Sequence, residues 1–119
     1  MNKFISVMKA LSDPNRVRIV KMLQHKTMFV CELQAVLEIA QPTVSAHLKL
    51  LEAAGIVGHR KNGLWNNYFL KDGSRSPYLA CLLGNLRFWL EDDPEIAALI
   101  ERLPPVRREE IRGRAAGGS

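Results

Sequence analysis

Apolar residues recur along this chain at helical spacing, in short runs separated by capping and turn signals. Phe4, Ile5, Met8 and Leu11 predict a first helix over roughly residues 3–11. In "SDP", Ser12 or Asp13 can cap and Pro14 suits a first helical position, so Val17, Val20, Met22 and Leu23 continue a second helix. "TMFV" reads as a short extended stretch, and Leu33, Val36 and Leu37 mark a two-turn third helix. Glu38-Ile39-Ala40 is the turn; Pro42 restarts the chain as a fourth helix that stops at Gly55, a good left-handed terminus. Asn62-Gly63 is a strong hairpin signal, and pairing about it sets Val57 opposite Tyr68 and His59 opposite Asn66. Ser76-Pro77 opens a fifth helix with Leu79, Leu82, Leu83, Leu86 and Leu90 on one side. Asp93-Pro94 opens a last short helix with Ile96, Leu99, Ile100 and Leu103, closed by Pro104-Pro105. Helices around one β-hairpin predict an α+β fold, mostly α, over residues 1–103. Residues 104–119 form an extension ending in "RGRAAGGS", which has no apolar payload and is expected to be partly disordered.

The fourth helix has an unusual surface. Val44, Leu48 and Leu51 fall in one narrow stripe, its core face. Gln41, Ser45 and Lys49 lie on one side, Pro42, Ala46 and Ala53 roughly opposite the stripe, and Thr43 and His47 on the other flank. An ordinary solvated helix carries Glu and Lys pairs there. Short amides, hydroxyls and a methyl suit entry into a DNA major groove: Gln bonds adenine, Ser and Thr serve bases or phosphates, and Ala meets a thymine methyl. Two helices with a three-residue turn make a helix-turn-helix. The plainer alternative is a helical hairpin buried in a core. The following hairpin, with Arg60 and Lys61 near its tip, favours DNA, because it can rest on phosphates beside the groove.

Charge agrees. The 119 residues carry a formal charge of +5, and residues 1–90 hold twelve Lys/Arg against five Asp/Glu. Five acids and no base occupy residues 91–101, so the positive field belongs to the front three quarters. No run of about 18 apolar residues spans a membrane, and the N-terminus lacks a signal-peptide core, which predicts a cytosolic protein. The two cysteines, Cys31 and Cys81, are then expected as thiols. No phosphate loop, paired carboxylates or Ser/His/Asp arrangement suggests an enzyme.

"LSDPNRVRIVKML", "VCELQAVLEIAQPTVSAHLKLLEAAGIV" and "RKNGLWNNYFL" together resemble the ArsR/SmtB family of bacterial metal- and metalloid-responsive repressors, from about Phe4 to Leu90. The resemblance implies a winged helix-turn-helix. It also implies a homodimer built mainly from the first and fifth helices, and repression by occupying an inverted-repeat operator in double-stranded DNA. It places Gln41, Thr43, Ser45, Ala46, His47 and Lys49 on the recognition helix and Arg60 and Lys61 on the wing. The dimer contact is expected at Phe4, Ile5 and Met8 and at Leu79, Cys81, Leu82, Leu86, Phe88 and Trp89. The fifth helix supports this independently, since Tyr78, Cys81 and Phe88 make its second side apolar, and a helix apolar on two sides is usually sandwiched.

The effector is less legible. Arsenite-sensing members carry a Cys-Val-Cys-Asp-Leu-Cys type stretch, where this chain reads "FVCELQ", with Phe29 and Gln34 in place of two thiolates. Zinc-sensing members use Asp/His and His/Glu pairs; Asp72 is present, but no His occurs from residue 60 onward. Trivalent arsenic prefers three thiolates and zinc four ligands. A soft metal ion or arsenite at Cys31, with Cys81 as a second donor, is the expected effector. A thiol-redox or small-metabolite sensor, or a winged-helix protein-interaction module, is the alternative. Cys31 at a helix N-terminus favours thiolate, although a lone cysteine is more often a small buried hydrophobe. His25 and His59 are at no ligand spacing with either cysteine and read as surface or phosphate-facing.

Overall fold

The chain order is α1 (Asn2–Ala10), α2 (Pro14–Leu23), β1 (Met28–Phe29), α3 (Val30–Leu37), α4 (Gln41–Ala53), β2 (Val57–Asn62), β3 (Trp65–Leu70), α5 (Pro77–Leu86) and α6 (Pro94–Glu101). The computed structural model describes residues 1–74 and 76–104. The expected disordered end therefore lies outside the described residues.

Local chemistry sets the helix starts. Asp13 caps α2, its Oδ1 accepting the N–H groups of Asn15 at 2.8 Å and Arg16 at 3.2 Å. Ser76 and Asp93 cap α5 and α6 in the same way, each followed by proline in the first turn. Helix α4 ends in a Schellman motif: Gly55, at φ +81°, donates to Glu52 O, and Ile56 donates to Leu51 O. That reversal delivers Ile56 and Val57, both buried, straight into the core and the first wing strand.

One core joins every helix. Val7, Ile19, Val20, Met22, Leu33, Val44, Leu48 and Leu51 are buried at its centre, with α5 and α6 adding Leu79, Leu83, Ile96 and Leu99. At about 25 cal/mol per Å² of apolar surface, each such leucine contributes about 2 kcal/mol, so the helix faces are held by packing rather than by propensity.

The sheet differs from the sequence reading in two ways. The "TMFV" stretch supplies a third strand, because β1 pairs antiparallel with β3, Met28 opposite Tyr68, giving the sheet order β1-β3-β2. The hairpin register is shifted by two residues: Val57 pairs with Leu70, His59 with Tyr68 and Asn62 with Trp65. The turn is therefore Gly63-Leu64. Asn62 keeps negative φ while Gly63 takes +67°, the pattern of a turn with glycine at its first central position. A shift of two preserves which side chains share a face, so the core tolerates it.

Helix α5 also stops earlier than the leucine spacing suggests. Leu90 lies beyond it with φ +65°, and the buried Lys21 ammonium explains the stop. Its Nζ donates to Leu86 O at 3.0 Å, Trp89 O at 2.8 Å and Glu91 Oε1 at 2.9 Å. All three donors are used, which is what makes a fully buried lysine tolerable.

Candidate nucleic-acid interface

Helix α3 packs on α4 through a turn of Glu38-Ile39-Ala40, closed tightly because Glu38 takes the left-handed conformation at φ 58°, ψ 42°. Val44, Leu48 and Leu51 sink the inner stripe of α4 to zero exposure. The remaining surface is fixed by that choice. Gln41, Thr43, Ser45, Ala46 and Lys49 are exposed together on the outer side, and no side chain caps the N-terminus of α4. That end is thus the uncapped positive pole of the helix dipole.

His47 departs from this set. Its ring turns back toward α2, where Nδ1 lies 3.2 Å from Arg16 Nη1 and Nε2 lies 4.0 Å from Asp13 Oδ1. Arg16 also donates to Ala10 O and Lys9 O, so one guanidinium ties α1, α2 and α4 together. Burial opposes the charge on Asp13, but the N–H donors of Arg16 and Asn15, with His47 and Arg16 nearby, hold its carboxyl below the ordinary value.

The wing alternates in the manner of any strand pair. Arg60 falls on the face shared with Phe69, its guanidinium 4.7 Å from the ring centroid, while Lys61 falls on the other face with His59 and Tyr68. The two cations are therefore not one cluster, and neither is at the turn. Leu64 occupies the turn and is 98% exposed, with Trp65 beside it at 58%. His59 is no free phosphate contact either: its Nδ1 lies 2.7 Å from Glu52 Oε2, a strut from wing to α4.

The family model for bacterial regulatory proteins of the arsR family matches residues 13–58, which span the helix-turn-helix and the start of the wing. A helix-turn-helix-type transcriptional regulator of Methanocaldococcus jannaschii is 44% identical over 71 residues, 59% of this chain and 80% of that one. The arsenical resistance operon repressor of Escherichia coli is 30% identical over 102 residues, 83% of each chain. The chain belongs to the ArsR family. Among solved structures, HlyU from Vibrio cholerae matches 76% of this chain and 95% of its own at TM-score 0.63 and 28% identity. The transcriptional repressor BigR from Xylella fastidiosa matches 73% and 85% at TM-score 0.58 and 32% identity. The fold is a winged helix-turn-helix and the protein is a DNA-binding transcriptional regulator. Among the described residues no helix is long and apolar enough to cross a membrane.

On this ArsR-family frame the remaining candidates separate. Phe4 meets Tyr78 edge-on at 5.7 Å, so α1 and α5 are neighbours within one chain. Phe4, Ile5 and Met8 are partly exposed, and Phe88, Trp89 and Leu90 form an exposed apolar run beyond α5. Leu79 and Leu86, expected at a partner contact, are instead buried in the chain's own core, with Leu82 half-buried against it. Both cysteines are exposed, so neither is the small buried hydrophobe that a lone cysteine usually is. Among the described residues no three His, Cys, Asp or Glu side chains gather as a metal site. Cys31 borders two clefts: one toward Glu38 and Arg102, and one toward Gln41 and the wing turn.

Sequence reasoning missed Arg16, Lys21 and Leu64. Lys21 had a signal, a lone charge inside "IVKML" on a core-facing stretch. Leu64 was hidden by the misplaced turn.

Proposed function

We propose that the protein is a homodimeric repressor that sets α4 of each protomer into successive major grooves of an inverted-repeat operator. The observation that carries this reading is the exposed, short and nearly uncharged outer side of α4 above a fully buried Val44/Leu48/Leu51 stripe. Gln41 and Ser45 are suited to base edges, and Lys49 to phosphate. The exposed apolar groups of α1 and of the segment after α5 support a two-fold contact between protomers, which would space the helices one turn of DNA, about 34–36 Å, apart. Footprinting of a selected duplex with the purified protein tests this. The expected result is a symmetric footprint from a dimer; one asymmetric half-site, or a monomer at micromolar concentration, overturns it.

Release by an effector belongs to the same proposal. The Escherichia coli relative is named for arsenical resistance, and a 37% identical relative in Listeria innocua for cadmium resistance. One protomer's donors do not fit a three-thiolate arsenite site or a four-ligand zinc site, since Cys31 and Cys81 gather no further ligands among the described residues. The reading supported best is chemistry at the exposed Cys31 thiol, by a soft ion or an oxidant, felt at Gln41 across the cleft that both line. Operator affinity of wild type, Cys31→Ser and Cys81→Ser is measured with and without arsenite, cadmium and peroxide. Cys31→Ser is expected to bind operator and no longer release it. A Cys31→Ser protein that releases like wild type places the effector elsewhere.

A further inference from the structure

The tip of the wing carries no charge. Leu64 stands almost wholly in solvent at the Gly63-Leu64 turn, and Trp65, braced against Phe29 at 6.2 Å between ring centroids, stiffens the strand that presents it. A single exposed leucine is ordinary on a protein surface, but this one stands at the tip of a hairpin set beside the recognition helix, where it is placed to meet whatever that helix meets. Its surroundings indicate which partner. Behind the tip, Arg60 and Lys61 project from opposite faces of the hairpin, and Asn62 and Asn66 flank the turn. Between the tip and the recognition helix runs a cleft of about 350 Å³ bordered by Gln34, Gln41, Leu64, Trp65 and Asn66. Three side-chain amides and the uncapped N-terminus of α4 thus look into one gap, with an apolar lip on its far side.

That arrangement is complementary to one edge of a DNA groove. A strand of phosphates in the gap would be met by amide donors and the helix dipole. With α4 in the major groove on one side of that strand, the wing tip on the other side is at the minor groove. Minor-groove proteins combine Arg, Lys and Asn contacts with an apolar side chain wedged between base steps. We propose that Leu64 is such a wedge, entering the minor groove outside the half-site read by α4 and partly unstacking one step there. Arg60 and Lys61 then face the two opposing phosphate walls. The step taken is a pyrimidine–purine step in an A·T-rich flank, because such steps unstack most cheaply. The inference rests on the DNA-reading proposal above and adds a determinant of sequence preference outside the palindrome.

Duplexes with a random 40-base-pair centre are selected separately with full-length wild type, Leu64→Ala and Leu64→Lys, and the best wild-type duplex then receives 2-aminopurine at the flanking step. Wild type is expected to enrich a palindrome with A·T-rich flanks holding a pyrimidine–purine step, and to raise the 2-aminopurine fluorescence on binding. Leu64→Ala is expected to keep the palindrome, lose the flanking preference and the fluorescence rise, and bind that duplex about tenfold more weakly. Leu64→Lys is expected to restore affinity for all duplexes alike without restoring the flank preference. Identical flanks from wild type and Leu64→Ala overturn the wedge while leaving the recognition-helix reading intact, whereas a wild type that enriches no sequence overturns that reading itself. A Leu64→Ala protein whose oligomeric state differs from wild type in sedimentation also overturns the wedge, since the tip is then a contact between copies.

Discussion

Nδ1 of His47 lies 3.2 Å from Nη1 of Arg16, and the pair takes His47 off the outer surface of α4. Arginine only donates, so a hydrogen bond in this contact has Nδ1 as its acceptor, while Nε2 lies on the side of Asp13. His47 is therefore a brace between α2 and the recognition helix. His47→Ala is expected to lower stability by about 1 kcal/mol, the net worth of one hydrogen bond, and to leave base preference unchanged. Urea unfolding and operator selection check the two halves; a changed base preference returns His47 to the reading surface.

Gln41 and Ser45 remain exposed on α4 and carry the opposite expectation. Gln41→Ala and Ser45→Ala should each lose about 1–3 kcal/mol of discrimination at one base position of each half-site, with little change in stability. Competition binding against single-substitution operators measures this. Uniform weakening on every duplex would instead make them phosphate contacts.

Arg60 and Lys61 project from opposite faces of the wing. With no shared phosphate, Arg60→Ala and Lys61→Ala should each flatten the slope of log affinity against log salt by about one, and their effects should add within about 0.5 kcal/mol. A double-mutant cycle across a salt series decides the point. Strong coupling would mean that both reach one phosphate.

Lys21 holds the carbonyls that end α5, and its removal should be felt in stability rather than in DNA binding. Lys21→Ala is expected to cost about 3 kcal/mol, from the cavity and the stranded carbonyls together, and Lys21→Met about half of that. The hydrogen bond from Lys21, then its charge, hold the carboxyl of Glu91 below the ordinary carboxylate value. Because the folded value is the lower one, this contribution is complete above the unfolded value and fades as pH falls through the folded one. Glu91→Gln should therefore flatten the acid side of the stability profile and leave the neutral side parallel to wild type. An unchanged acid limb would show that the pair is screened by solvent.

Local pattern made most of the elements legible. Asp13, Ser76 and Asp93 act within one helical turn, and the stripe Val44, Leu48, Leu51 is a property of α4 alone, so caps, core face and the polar outer side of the recognition helix could all be read before any packing was known. The family resemblance was likewise carried by contiguous strings.

What escaped depended on partners distant in sequence. His47 looked like a DNA contact until Arg16, 31 positions earlier, was found beside its ring. Lys21 is a lone charge inside an apolar run, and only the fold brings it the three acceptors, 65 to 70 positions away, that close around it. The wing tip turned on a backbone choice: whether Asn62 or Gly63 begins the turn is a contest of small energies, decided once β1 and the core-facing Val57, Tyr68 and Met28 had fixed the register. Sequence alone determined which segments are helical and which face of each is apolar, because those are local and periodic. Only the tertiary structure decided which polar groups are left to meet DNA, because that depends on which of them the fold has already used.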